Sequence, residues 1–204
     1  MTAQTHDYLS YSGITLRLAG PPLDSWLNSR RHRKLYYFRR GTSANRRGYV
    51  GYWTLRDGKL YLAKLLGRLL VLEANTWTEF QTNTLDALFP GHDGTVFASW
   101  FSGVLRCPYG NQLRYVHSGY SSVFEFDLFF QIKQGRQSLM WMVRNEAPTE
   151  DLLPEDLDLD LTTSELADSP KSTEQTISGL DGIVQFEKLR SCMPSDADRY
   201  LQQS

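Results

Sequence analysis

Apolar and polar residues alternate along residues 123–133, and this pattern is typical of a β-strand. Successive side chains of a strand point to opposite faces, so every second residue shares a face. Burying five large apolar side chains on one face contributes on the order of 10 kcal/mol, at about 25 cal/mol per Å². The alternation therefore predicts a strand that is buried on one side and anchors a sheet. The apolar face holds Phe124, Phe126, Leu128, Phe130 and Ile132, the polar face holds Glu125, Asp127, Gln131 and Lys133, and Phe129 is the exception.

Two dipeptides predict tight hairpin turns. Asp57-Gly58 separates apolar stretches at residues 49–55 and 60–65, and both turn residues tolerate a positive φ. Gln134-Gly135 similarly separates residues 123–133 from residues 137–143. Because each connection is short, we expect the strands that it joins to pair antiparallel.

Three further boundaries follow from glycine and proline. Tyr109-Gly110-Asn111 predicts a turn between strands at residues 96–107 and 112–116. Gly67 predicts a break between two strands, although the Leu, Ala, Lys and Glu content of residues 62–74 also suits a helix. A short helix is expected before Phe89-Pro90-Gly91, with Asn83 or Thr84 as its cap and Asp86 in its first turn.

Charge divides the chain into two parts. Residues 1–144 carry 18 Lys and Arg against 9 Asp and Glu, whereas residues 145–204 carry 4 against 14. A β-rich domain is therefore predicted at 1–144 and an acidic, mostly irregular extension at 145–204, with one more strand or helix near 183–189. The expected fold class is mainly β, with antiparallel sheets forming a partly open barrel or a sandwich and one or two short helices.

Several classes of protein lack support in the sequence. The N-terminus has no basic segment followed by an apolar stretch, and the longest apolar stretch is too short to cross a bilayer, so we expect a cytoplasmic protein that does not enter the membrane. Cys107 and Cys192 lie far apart and are expected to stay reduced. The four histidines are scattered and no nucleotide-binding motif occurs, so no metal site and no cofactor is predicted.

One set of residues has the chemical types of a hydrolase site. Ser102, His117, Glu125 and Asp127 provide a hydroxyl, an imidazole and two carboxylates. No Gly-x-Ser-x-Gly motif surrounds Ser102, which falls within a predicted strand rather than on a sharp turn. We therefore assign no catalytic residue, and we interpret Glu125 and Asp127 as the solvated face of a strand.

Tyr and Trp are abundant between residues 49 and 120, and these residue types anchor protein interfaces. We predict that the chain is a non-enzymatic protein-interaction module, of the immunity-protein or adaptor kind, with another protein as its partner. The alternative is that some of these rings are partly buried, with a hydroxyl or indole nitrogen that reaches water. The predicted contact residues are Trp53, Tyr61, Trp100 and Tyr120.

A basic segment at residues 30–47 supports a different function. Its eight cations have no acid among them and are interleaved with three aromatic residues, a composition that single-stranded nucleic acid favours. The alternative is a core strand with solvated arginines on its flanks. We also hypothesise that the acidic extension covers this basic patch and competes with anionic ligands. The patch comprises Arg30, Arg31, Arg33, Lys34, Arg39, Arg40, Arg46 and Arg47.

The order of several short motifs resembles that of a family of small uncharacterised bacterial β-rich proteins. The motifs are Ser43-Ala44-Asn45-Arg46-Arg47-Gly48-Tyr49, Lys59-Leu60-Tyr61-Leu62, Leu88-Phe89-Pro90, Trp100-Phe101-Ser102-Gly103 and Tyr115-Val116-His117-Ser118-Gly119-Tyr120. The resemblance covers roughly residues 40–140 and implies a bacterial, cytoplasmic protein. It implies no activity, and the arginine-rich segment and the acidic extension depart from it.

Overall fold

A computed structural model describes residues 2–29, 35–81 and 84–146. Within these residues the chain is mainly β, as predicted, and has two short helices. In chain order the elements are β1 (Asp7–Tyr11), β2 (Ile14–Leu18), α1 (Asp24–Leu27), β3 (Tyr36–Phe38), β4 (Tyr49–Arg56), β5 (Lys59–Gly67), β6 (Leu69–Glu73), β7 (Thr76–Phe80), α2 (Thr84–Leu88), β8 (Val96–Phe97), β9 (Gly103–Arg114), β10 (Val123–Lys133) and β11 (Arg136–Arg144).

The strands form a large sheet and a small one. The large sheet has the order β2-β1-β4-β5-β11-β10-β9, and β8 pairs with β5 beside this path; the small sheet has the order β3-β6-β7. The sheets do not close into a barrel within the described residues: β2 and β9 lie at the two ends of the large sheet. A backbone hydrogen bond of 2.8 Å from Ala19 N to Arg106 O links the chain just after β2 to β9.

The hairpin predictions at Asp57-Gly58 and Gln134-Gly135 are confirmed. Asp57 and Gly58 have φ values of 50° and 65°, and they join β4 to β5. Gln134 and Gly135 have φ values of 48° and 75° and join β10 to β11. The predicted break at Gly67 is also confirmed, since β5 ends there and β6 begins at Leu69.

The predicted turn at Tyr109-Gly110-Asn111 is wrong. β9 runs without interruption from Gly103 to Arg114, and its register against β10 shifts on both sides of Phe124. Gly110 has a φ of 84° inside this strand, so it forms a bulge that bends β9 rather than a hairpin that ends it. The predicted strand at 96–107 is divided, because β8 ends at Phe97 and Ser102 lies outside any strand.

One strand pair was not predicted. β1 pairs with β4 in parallel, with Leu9 opposite Trp53, although every connection considered from the sequence was a short antiparallel one. Parallel strands need a crossover of a dozen residues or more. The chain between Leu18 and Tyr49 supplies it, because α1 and β3 lie in this interval.

The core lies beneath the large sheet and takes the predicted face of β10. Leu128, Phe130 and Ile132 are buried, and they meet buried leucines of β1, β2, β4 and β5. α2 is confirmed at Thr84–Leu88 with Asp86 in its first turn, while Asn83 lies outside the described residues. The acidic extension and the element predicted near 183–189 also lie outside the described residues.

Candidate functional site

Trp53 does not lie on a surface, which corrects its prediction as a contact residue. It is 1% exposed, and it is buried because β4 runs through the middle of the large sheet. Its indole Nε1 donates a hydrogen bond of 3.0 Å to Oδ2 of Asp7. Some of the Tyr and Trp residues whose abundance suggested an interface therefore lie in the core.

The other three predicted contact residues are half-buried and have separate neighbours. Tyr61 packs under the guanidinium of Arg56, whose Cζ lies 4.7 Å from the ring centroid. The ring of Trp100 stacks on Phe89 at 5.2 Å, and its buried Nε1 has no hydrogen-bond partner within the described residues. Tyr120 belongs to a polar cluster around Asp7, so the three residues do not form one face.

This polar cluster is centred on the fully buried carboxylate of Asp7. Oδ1 of Asp7 accepts from Nη2 of Arg47 at 2.5 Å and from the backbone N of Gly51 at 2.8 Å. Arg47 also donates to the hydroxyl of Tyr120, which in turn donates to the carbonyl of Thr5 at 3.2 Å. Burial raises the pKa of Asp7, and the charge of Arg47 offsets part of that effect.

The same cluster extends to His6 and Tyr49. Nδ1 of His6 lies 2.9 Å from the carbonyl oxygen of Leu18, and burial lowers the pKa of this imidazole. The hydroxyl of Tyr49 donates to Asp24, and burial is the main reason that its pKa is raised. The polar groups of Asp7, Arg47 and Tyr120 are thus hydrogen-bonded to one another. We therefore interpret the cluster as a structural one that connects β1, β4 and the 119–120 turn.

The basic patch divides into parts with different roles. Arg30, Arg31, Arg33 and Lys34 lie outside the described residues. Arg39 is half-exposed and lies 3.7 Å from the carboxylate of Glu79, whereas Arg40 and Arg46 are exposed. Arg47 is largely buried on Asp7 and cannot contribute to an exposed patch.

The four residues of hydrolase type are held apart. Ser102 accepts a hydrogen bond of 2.9 Å from the backbone N of Gln134, just beyond one end of β10. His117 pairs with the hydroxyl of Tyr115 at 2.9 Å and lies in the connection that enters the opposite end of β10. Glu125 accepts from Asn111, and Asp127 from Arg106. The arrangement has no nucleophile beside a base. The interpretation of Asp127 as part of a solvated face is wrong, because it is 6% exposed and buried against Arg106.

An apolar surface that the sequence did not predict covers the outer side of β9, β10 and β11. Register fixes its composition: Phe129 lies opposite both Arg106 and Trp141, and Gln131 lies opposite both Val104 and Leu139. These residues alternate with the buried Leu128 and Phe130, so they point away from the core. We call this surface the outer apolar face and define it by Val104, Phe129, Leu139, Trp141 and Val143.

The outer apolar face is exposed, and its two aromatic rings contact each other. Val104, Leu139 and Val143 are 50%, 41% and 37% exposed. The rings of Phe129 and Trp141 stack with their centroids 5.1 Å apart and their planes within 11°. Stacked rings on paired strands present a rigid surface, which costs little conformational entropy on binding.

Polar residues lie among the apolar ones on this side of the sheet: Gln131 lies between Val104 and Leu139, and Asp127 lies opposite Val143. Asp127 is buried, and its carboxylate is satisfied by Arg106, which donates to it at 2.9 Å, and by the side chain of Asn145, which donates to it at 3.0 Å. The charge of Asp127 is thereby paired with that of Arg106. The sequence carried one signal of this face, because Phe129 is the exception to the alternation of β10. Residues 137–143 were predicted to form a strand, but no exposed face was assigned to them.

A shallow pocket of about 190 Å³ lies near the edge of this face, between the end of β2 and β9. Its lining is mostly apolar and includes Leu18, Pro21, Phe101 and Val104, with Arg106 as its charged residue. Among the described residues no three His, Cys, Asp or Glu side chains are grouped to hold a metal ion. In the same part of the chain, no helix has both the length and the apolar character needed to cross a bilayer.

Comparisons with known proteins add no assignment to this geometry. Scans against protein-family models, curated proteins and solved structures each find no match to the chain. The resemblance drawn from motif order therefore stays a prediction.

Proposed function

We propose that this protein is a non-enzymatic protein-interaction module that binds its partner through the outer apolar face. The observation that carries the proposal is the exposure of Val104, Leu139 and Val143 around the Phe129–Trp141 stack. A group of exposed apolar side chains on one face of a sheet is typical of an interaction site, and tryptophan is among the residues that contribute most to binding energy. An adaptor or an immunity-type protein would use such a rigid face.

The partner in this proposal is a protein with an apolar surface of its own. The rim of the interface would be polar, since Arg106 and Asp127 lie at the outer apolar face and form an ion pair with each other. The separation of Ser102, His117 and Glu125 supports a binding function over catalysis. We infer further that the protein acts in the cytoplasm, with which the free thiol of buried Cys107 is compatible.

The test compares two leucines of nearly equal exposure. Leu139 lies on the outer apolar face and is 41% exposed, whereas Leu66 lies on β5, outside that face, and is 44% exposed. Tagged wild-type, Leu139→Asp and Leu66→Asp proteins are incubated with a lysate of the native host, and the captured proteins are identified by mass spectrometry. We expect a partner that is captured by wild type and Leu66→Asp and lost with Leu139→Asp. Equal capture by all three proteins would refute the proposal, provided that thermal unfolding shows each variant folded.

A further inference from the structure

The small sheet carries a second exposed surface, of a different chemical kind. On its outer side, Leu70 of the central strand β6 lies between Tyr37 of β3 and Glu79 of β7. Two residues further along β6, Leu72 lies opposite Trp77 of β7. Phe38, Leu69 and Val71 point the other way, into the core. Tyr37 and Trp77 are each 50% exposed, so two aromatic rings face solvent on one sheet.

Tyr37 and Trp77 are far enough apart to contact two different groups of a ligand. Tyr37 and Trp77 lie two strands apart and are offset by two residues along the strands. With strands about 4.8 Å apart and a rise of about 3.4 Å per residue, their Cα atoms are about 12 Å from each other. The half-buried Leu70 and Leu72 form the floor between them. Two planar bases of one strand could therefore each stack on a separate ring.

Two arginines lie at the other end of the same surface. The backbone N of Arg39 donates to the carbonyl of Arg68 at 2.8 Å, which places the two residues side by side just beyond the paired strands. Their side chains are 51% and 50% exposed. Nε of Arg68 donates to Glu79 at 2.7 Å, so one of its five N–H donors is used in this contact. Glu79 orients the guanidinium, and the two arginines leave a net positive charge at this end.

Exposed rings beside oriented guanidinium groups are the pair of features that single-stranded nucleic acid requires, since rings stack on bases and cations neutralise phosphates. The body that carries this sheet is basic overall, because residues 1–144 sum to +9 from 18 basic and 9 acidic residues. We propose that the outer side of the small sheet, with Tyr37, Trp77, Arg39 and Arg68 as contact residues, binds single-stranded nucleic acid.

The experiment measures binding of the full-length protein to fluorescein-labelled oligo(dT) and oligo(U) by anisotropy across a series of salt concentrations. We expect wild-type affinity to fall steeply with salt and to exceed the affinity for a duplex of equal length. The Tyr37→Ala/Trp77→Ala double variant should bind at least about tenfold more weakly. Arg68→Gln should reduce the slope of log affinity against log salt by about one.

Two further variants keep the result interpretable. Tyr37→Phe/Trp77→Phe retains both aromatic faces and should stay close to wild-type affinity, which separates stacking from structural damage. Trp141→Ala removes a ring of the outer apolar face and should leave oligonucleotide binding unchanged. The proposal is overturned if wild type shows no salt-dependent binding to single strands, if duplex binds as tightly, or if Trp141→Ala weakens binding as much as the double alanine variant does.

Discussion

The carboxylate of Asp7 binds three groups from a single stretch of the chain, residues 47–53, which lies at least 40 residues away in sequence. It receives hydrogen bonds from Arg47, from the backbone of Gly51 and from the indole of Trp53. Burial penalises its charge, and the Arg47 guanidinium compensates for part of the penalty. Removing only the arginine would therefore leave a buried carboxylate without its counter-ion.

At this residue scale we predict that Arg47→Met lowers the free energy of unfolding by roughly 3–5 kcal/mol near neutral pH. The loss of Arg47 raises the pKa of Asp7 further, so the folded variant takes up a proton more readily than the unfolded chain does. The deficit relative to wild type should then shrink as the pH falls from about 7 to about 4. Urea unfolding at several pH values measures both effects.

The neighbouring Arg46 provides the control for this variant. It is exposed and Arg46→Met should change the free energy of unfolding by less than about 0.5 kcal/mol. A deficit of Arg47→Met that stays constant with pH would show that the Asp7 charge is not its cause.

Among the elements, β9 departs furthest from what its sequence predicts. A Gly next to Tyr and Asn after a proline is a turn signal, yet this Gly110 lies within a strand twelve residues long. A Cβ at position 110 would lie 2.5 Å from Oε2 of Glu125 on β10. Position 110 is therefore restricted by its positive φ and by the Glu125 carboxylate, which accepts a hydrogen bond from the backbone N of Asn111.

At this element scale we predict that Gly110→Ala destabilises the fold by about 1–3 kcal/mol, because alanine at this φ is strained and its Cβ displaces Glu125. Gly103→Ala on the same strand is the matched control. Gly103 lacks a positive φ, and its nearest potential contact is Phe101 at 3.4 Å. Denaturant midpoints should separate the two variants, and equal midpoints would contradict a special role for the bulge.

The whole molecule combines a basic body with an acidic C-terminal sequence. Every buried core residue in the described part lies between Leu9 and Met140, so the body encloses its own core there. We predict that a chain ending at Glu146 unfolds at the same midpoint as the full-length protein and binds heparin more tightly at low ionic strength, since residues 147–204, with 13 acidic and 4 basic residues, are removed. Heparin-column elution and thermal unfolding measure this. Unchanged elution would contradict the hypothesis that the acidic extension competes with anionic ligands.

Local signals in the sequence were enough to predict much of the fold and little of the site. Asp57-Gly58 and Gln134-Gly135 each encode a turn in two residues, and the alternation of β10 assigns its buried face. The β1–β4 pair depends on contacts more than forty residues apart, for which no local pattern exists. The outer apolar face arises only when register sets Phe129 beside Trp141, while Trp53, with the same residue type, is placed in the core.

The parallel pairing of β1 with β4 also bears on the order in which the chain assembles. β1 is synthesised before β4, and the Ser12-Gly13 connection lets it form a hairpin with β2. The other edge of β1 has no strand partner until Tyr49–Arg56 has also left the ribosome. The intervening chain includes α1 and β3. Nascent protein thus exposes an unsatisfied strand edge during that interval, and closing this long loop is the step that we expect to limit the folding rate.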